Sequence, residues 1–211
     1  MPGTFHLAAS GELEGLALSR LVSRLGVDST RPCTFAWDGR GSLSTEWTRW
    51  LSDWFSPVLA PVFAKVHRLA GEVRPTEIAT IDRELDRSLG ERERRSSLEA
   101  ATAFLDGKSS MRGHREWARF AERVAAGDTP GHAATLFALQ TALYHLPLAS
   151  ALAAYAWFEL ESGLPRDGYR ERPGSADETL AAFSAAIPHV QVAIAENHGE
   201  FSDGAPSLRA I

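Results

Sequence analysis

Two aspartates at helical spacing are the side chains of this sequence most suited to chemistry. Asp82 and Asp86 are four positions apart, so a helix would place both carboxylates on one face. Such a pair can hold Mg²⁺ in a helical enzyme that acts on an apolar, isoprenoid-like substrate. Arg83 and Arg87 directly follow the aspartates, and charges at this spacing more often form surface ion pairs. Surface ion pairs are therefore the preferred interpretation, and a magnesium-dependent enzyme is the alternative.

The other groups able to react or to bind a metal are isolated in the sequence. His145 lies within an apolar stretch, where burial would lower its pKa, and a histidine of the core is the simpler interpretation. Glu196, His198 and Glu200 could offer metal ligands, but they stand where the helical pattern fades. Cys33 lacks the local pattern of a nucleophilic cysteine. We therefore predict no catalytic residue, no metal ligand and no cofactor.

The elements that must position these groups are helices, and the most apolar of them lie near the centre of the chain. Residues 132–162 are almost all apolar or small, and Pro147 divides them into two lengths typical of globular helices. Pro147 suits the first turn of a helix because it lacks an N–H. Helices that are hydrophobic on every side must be covered by others. We predict an all-α fold, a single-domain orthogonal bundle of about eight to ten helices around this central buried helix hairpin.

The remaining pattern fits one all-helical domain over residues 1–211. Residues 27–43 contain a proline and a glycine-rich turn, which predicts a loop, and the only segment with any strand character is 33–37. Residues 199–211 are polar and contain glycine and proline, which predicts a flexible tail.

An aromatic helix follows the loop. Trp47, Trp50 and Trp54 recur at steps of three and four, so they share one helical face. Packing in the core is the preferred interpretation of this face, whereas the enzyme alternative would require it to line a ligand cavity. Pro57 and Pro61 predict a kink or a break in the same helix.

Charge and cysteine content narrow the classes of partner and the compartment. The net charge is −5 and the pI is about 5.8, which argues against nucleic acid as the main partner. One cysteine cannot form an internal disulfide, which favours a reducing compartment. The N-terminal residues lack the basic and apolar regions of a secretory signal, and polar residues interrupt the longest apolar stretch. We expect a cytoplasmic protein that binds neither nucleic acid nor membrane.

Several short motifs follow one another in an order that is typical of one protein family. In chain order they are Trp47-x-x-Trp50-Leu51, the segment IDRELDRSL at 81–89, Arg92-Glu93-Arg94-Arg95, Gly131-His132 followed by Phe137-Ala138, the helix pattern at 148–157, and a turn at Arg172-Pro173-Gly174-Ser175. This order resembles the urease accessory proteins of the UreF type. The family's N-terminal motif and its C-terminal ending are not recognisable, Ala138 stands in place of a glycine, and Ser175 in place of a glutamine.

The resemblance implies an all-helical, non-catalytic maturation factor for the nickel enzyme urease. Its partners would be a UreD/UreH-like scaffold protein, a UreG-like GTPase and apo-urease, and together they would insert nickel into apo-urease. Within the matching motifs, we predict that Glu93, Arg95, His132 and Gly174 contact partners. A homodimer is compatible with the amount of apolar helix surface. The alternatives are a helical chaperone for another metalloenzyme, with a groove for a leader peptide, and the magnesium-dependent enzyme described above.

Overall fold

A computed structural model describes residues 20–23, 25, 33–106, 110–165 and 175–199. Its α-helices are α1 Leu43–Trp50, α2 Ala60–Gly71, α3 Pro75–Ser88, α4 Glu91–Leu105, α5 Arg115–Ala125, α6 Ala133–Leu143, α7 Leu148–Gly163, α8 Ser175–Ser184 and α9 Ala186–Gly199, with a π-helix at Leu51–Leu59 and a 3₁₀-helix at Ser110–Gly113. No strand occurs in these ranges, and the number of helices falls within the predicted eight to ten. The predicted all-α fold is confirmed.

The helices α6 and α7 form the central hairpin. Every residue of α6 from Ala133 to Ala142 is buried, because α2, α4 and α7 pack around it. The other face of α7 is covered by α8 and α9. This arrangement explains why both helices are apolar on all sides. None of the described helices is long and apolar enough to cross a membrane.

The turn of the hairpin corrects the prediction for His145. The N–H of Leu146 donates to the carbonyl of Thr141 (3.0 Å), and that of His145 donates to the carbonyl of Ala142 (2.8 Å). These two bonds form a Schellman motif, in which His145 takes the left-handed conformation at φ +56°. His145 is therefore exposed at the end of α6 and is not the buried histidine that the apolar stretch suggested.

The prolines after the aromatic helix do not end the helical path. The chain continues from α1 through the π-helix Leu51–Leu59 into α2, and Pro57 lies inside the π-helix. Ala60 bonds back to the carbonyl of Phe55, five residues earlier, as this wider turn requires. Pro61 lies in the first turn of α2, directly after the π-helix. The predicted break is thus a local widening of the helix.

The aromatic face of α1 is part of the core. Trp47 and Trp50 stack with their ring centroids 4.7 Å apart, and Phe35 meets Trp47 edge-on at 4.8 Å. Trp47 is fully buried and Trp50 nearly so, while Trp54 is half-buried at the margin of this cluster. The interpretation of Trp47 and Trp50 as core residues is confirmed.

Candidate functional site

The loop before α6 is held by a carboxylate from a distant helix. Asp82 of α3 is completely buried, and it accepts hydrogen bonds from the Thr129 hydroxyl (2.7 Å) and from the backbone N–H groups of Gly131 (2.6 Å) and His132 (3.0 Å). Both carboxylate oxygens are used. The side chain of Asp82 therefore fixes the loop 129–132, although it is almost fifty residues away in sequence.

The same contacts cap the N-terminus of α6. Backbone N–H groups in the first turn of a helix have no partner within the helix, and together they carry partial positive charge. Residue His132 at the N-cap makes no side-chain cap, and Asp82 and the Ser97 hydroxyl replace it, the latter accepting from the N–H of Ala133 (3.2 Å). A buried negative charge is stabilised at this position by the positive end of the helix.

Asp86, His132 and Arg94 extend this site toward the surface. Asp86 contacts His132 Nε2 at 3.1 Å and Arg94 Nε at 3.3 Å. Burial lowers the pKa of His132 below its ordinary value of 6.5, against the opposing effect of the carboxylates of Asp82 and Asp86. His132 is thus a fully buried histidine that links the capped loop to α3.

These contacts overturn the magnesium hypothesis for Asp82 and Asp86. Both carboxylate oxygens of Asp82 already accept hydrogen bonds from the loop. Asp86 contacts His132 and Arg94. The simpler prediction of surface ion pairs is also wrong for Asp82, because this residue is buried and bonded to backbone. No group of three metal-ligating side chains occurs in the part of the chain that the structure describes. Of the three C-terminal residues that were considered as ligands, the side chains of His198 and Glu200 lie outside that part.

A second buried carboxylate was not predicted from the sequence. Glu159 of α7 has no exposed surface and accepts from Thr34 N–H (2.9 Å), the Thr34 hydroxyl (3.0 Å), Phe35 N–H (3.0 Å) and the Tyr155 hydroxyl (2.5 Å). An acidic residue inside an apolar helix is the signal that could have revealed it, because glutamate is buried only where it has partners.

Among the described residues, the groups that donate hydrogen bonds to Glu159 are all neutral, and none of them is a cation. Burial raises the pKa of Glu159 above its ordinary value of 4.5, and the hydrogen bonds from Tyr155, Phe35, Cys33 and Thr34 only partly offset this effect. Burial first, and the neighbouring Glu159 second, raise the pKa of the Cys33 thiol and of the Tyr155 hydroxyl well above their ordinary values. Cys33 is therefore a protonated donor in the core, not an activated nucleophile.

Glu159 and the end of α7 together fix residues 33–37, which we call the docked segment. Trp37 N–H donates to the carbonyl of Gly163 (2.9 Å), and a Cβ at Gly163 would meet the carbonyl oxygen of Phe35 at 2.6 Å. The sequence indicated some strand character here, but no strand forms in residues 33–37, and the segment bonds to the end of a helix and to a carboxylate instead. Only a glycine permits this close approach.

The three described residues among those predicted to contact partners differ in exposure. Glu93, half-buried in the first turn of α4, lines a surface groove, whereas Arg95 is exposed and pairs with Glu91 at 2.9 Å. The buried His132 can influence a partner only through the loop that it holds. Gly174 and most of the predicted tail 199–211 lie outside the described residues.

Comparison with known proteins identifies the family. The UreF family model matches residues 42–163, which is more than half of the chain and runs from the N-cap of α1 to the end of α7. Neither a curated protein nor a solved structure gives a significant match. The matched region contains the aromatic helix, the capped loop and the whole central hairpin. The chain belongs to the UreF family of urease accessory proteins.

Proposed function

We propose that this protein is a non-catalytic maturation factor of urease that binds a UreD/UreH-like scaffold protein and a UreG-like GTPase and assists nickel insertion into apo-urease. The observation that carries the proposal is the UreF match over residues 42–163. A factor of this kind acts by presenting a surface of defined shape, so its own residues need to hold loops and helices in place and need not perform chemistry. A cytoplasmic location and a homodimer belong to the same proposal.

Buried polar contacts in the matched region support a role as a rigid binding surface. Asp82 and Ser97 fix the start of α6, and Asp86 and His132 connect this loop to α3. A preformed surface loses less conformational entropy when a partner binds. The N-terminal part of α4, which carries the half-buried Glu93 and the exposed Arg95, is the region that we expect partners to contact first.

The direct test is reconstitution with the scaffold protein, the GTPase and the apo-urease encoded in the same genome. We expect the chain to copurify with the scaffold and GTPase, and nickel-dependent urease activity to require it. Size-exclusion chromatography with light scattering would give the stoichiometry, and metal analysis would give the nickel content of urease. Urease that acquires full nickel and activity without this chain would contradict the proposal.

A folded but inactive variant makes the test specific. Glu93→Arg reverses a half-buried charge in the first turn of α4 that forms no ion pair with the described residues, so we expect the fold to be unchanged. Arg119→Glu on α5 reverses an exposed charge on a different helix and serves as the control. Weaker assembly of the ternary complex with the first variant, and normal assembly with the second, would support a partner contact at α4.

A further inference from the structure

A groove on the surface has the docked segment and residues 38–40 on one side. On its other side lie α1, the π-helix and α4. Its narrower part, about 160 Å³, is lined by the π-helix and by the first turn of α4. Its wider part, about 360 Å³, lies beside residues 36–40. Glu46 of α1 and Arg92 of α4 line both parts, so the two form one continuous depression.

The floor of the groove is aromatic and its rim is charged with both signs. Phe35, Trp50 and Trp54 line the narrower part, and Trp54 retains exposed surface there. Tryptophan and arginine side chains at the edge of a pocket are typical of the residues that contribute most to protein–protein binding. A rim of mixed sign does not suit nucleic acid or a simple anion, which both require excess positive charge.

Three of the rim charges have no counter-charge among the residues that the structure describes. Glu46 pairs with Arg49 at 2.9 Å, and Asp38 lies 3.9 Å from Arg40. Within the described residues, the side chains of Asp53, Arg92 and Glu93 make no ion pair or hydrogen bond. Glu93 is half-buried, and a charge that has lost part of its hydration gains most from a partner that supplies the opposite charge.

The wall formed by the docked segment is fixed before any partner arrives. Thr34 and Phe35 are bonded to the buried Glu159, and Trp37 is bonded to the carbonyl of Gly163. The space beside this fixed wall, about 160 Å³ and 360 Å³ in its two parts, suits the side chains of an inserted segment better than a second helix, whose diameter with side chains is about 10 Å.

We propose that this groove binds an extended segment of a protein partner that carries a basic residue facing Asp53 and Glu93 and an acidic residue facing Arg92. The inference rests on the proposed function in one respect, because the partner is taken to be the scaffold protein or the GTPase. It also divides the predicted contact residues, since Glu93 belongs to the groove and Arg95 does not.

Charge reversals at neighbouring positions of α4 test whether partners bind in the groove or elsewhere on the surface of this helix. The full chain is titrated with the purified scaffold protein and with the purified GTPase by calorimetry. Arg92→Glu and Glu93→Arg should each weaken binding of one of these proteins about tenfold or more. Arg95→Glu, on the same helix but outside the groove, should change Kd less than about twofold. Circular dichroism and thermal unfolding check that each variant is folded.

The outcomes separate this inference from the proposed function. If the wild-type chain binds neither protein, both the proposed function and the inference are wrong. If it binds but Arg92→Glu and Glu93→Arg leave Kd unchanged, or Arg95→Glu weakens it equally, only the groove is wrong.

A cross-link identifies the occupant directly. The only native cysteine, Cys33, is buried, so a cysteine introduced by Asp53→Cys can be labelled selectively with a photoreactive benzophenone. After irradiation of the complex, the cross-linked partner peptides should map to one contiguous stretch that contains both a basic and an acidic residue. Arg119→Cys on α5 is the control and should not give these peptides. Cross-links spread over several separate regions of the partner, or equal yields from the control, would overturn the inference.

Discussion

The Asp82 site and the Glu159 site use the same bonding arrangement in different electrostatic surroundings. In both, a fully buried carboxylate accepts hydrogen bonds from consecutive backbone N–H groups of a segment that is remote in sequence. In both, a glycine at the site allows close packing, Gly131 in the loop before α6 and Gly163 at the end of α7. Each site therefore joins a non-helical segment to the helical core.

The difference lies in what compensates the buried charge. Asp82 faces the positive N-terminus of α6, and Arg94 and His132 lie close to Asp86 beside it. The described partners of Glu159 are all neutral donors, and burial raises its pKa. Both carboxylates fix a segment through hydrogen bonds, but of the two, within the described residues, only Asp82 lies at a helix N-terminus with an arginine close by.

Loss of the Asp82 carboxylate should have the largest effect on stability. Asp82→Ala leaves the buried N–H groups of Gly131 and His132 without an acceptor and removes the cap of α6, while the Thr129 hydroxyl can still donate to the carbonyl of Ala79. We therefore expect the free energy of unfolding to fall by about 4 kcal/mol. Glu159→Ala should lower the free energy of unfolding by about 2 kcal/mol. The loss is smaller because the substitution also removes a buried carboxylate that has no nearby positive charge among the described residues. Urea denaturation followed by circular dichroism gives both values. Glu84→Ala, exposed on α3, is the control and should be nearly neutral.

An equal or larger loss for Glu159→Ala would contradict this expectation, since it would show that the dipole of α6 and the charge of Arg94 contribute little.

Replacing either glycine by alanine should destabilise the protein less than Asp82→Ala does. The two variants distinguish a clash with backbone from a clash with a side chain. A Cβ at Gly163 meets the backbone of Phe35, so Gly163→Ala must shift the docked segment and should cost about 2 kcal/mol. A Cβ at Gly131 meets the Val124 side chain at 2.7 Å, and φ is +78°. Gly131→Ala should therefore lower the free energy of unfolding by a similar amount. Adding Val124→Ala to this variant should remove the steric clash but not the strain of the left-handed backbone. Thermal unfolding measures these changes.

Full recovery of stability in the Gly131→Ala, Val124→Ala double variant would show that the left-handed conformation contributes no strain of its own.

The smallest expected effect is a difference in pH dependence between the sites. Above pH 4.5 the folded protein retains the Glu159 proton longer than the unfolded chain, so this residue makes the free energy of unfolding fall as pH rises through the raised pKa. Below pH 6.5 the unfolded chain protonates His132 before the folded protein does, so this residue makes stability rise with pH through that window. Urea titrations between about pH 4 and pH 8 should show opposite slopes when Glu159→Gln and His132→Gln are each compared with the wild type.

Slopes of the same sign in the two comparisons would mean that the buried groups do not titrate as their surroundings indicate.

Predictions from the sequence succeeded where the signal was periodic and local. The apolar run around Pro147 identified the central hairpin, and the spacing of Trp47 and Trp50 identified a core face. They failed where a single residue acts over a long separation. His145 stands in an apolar run, yet the Schellman motif turns it outward. Asp82 stands out in the sequence, but its spacing to Asp86 gives no indication of a loop almost fifty residues away.

The order of motifs along the chain is by itself enough to indicate the UreF family. Helices of fixed order and spacing give a recognisable sequence pattern, here over residues 42–163. Helix number and the apolar centre were likewise determined by the sequence, since periodicity and proline positions act within a few turns. Only the tertiary structure decided that Asp82 and Glu159 are buried, which segments they hold, and that Glu93 faces a groove while Arg95 does not. These facts depend on which backbone N–H groups approach each carboxylate when distant helices pack, and no local pattern records that approach.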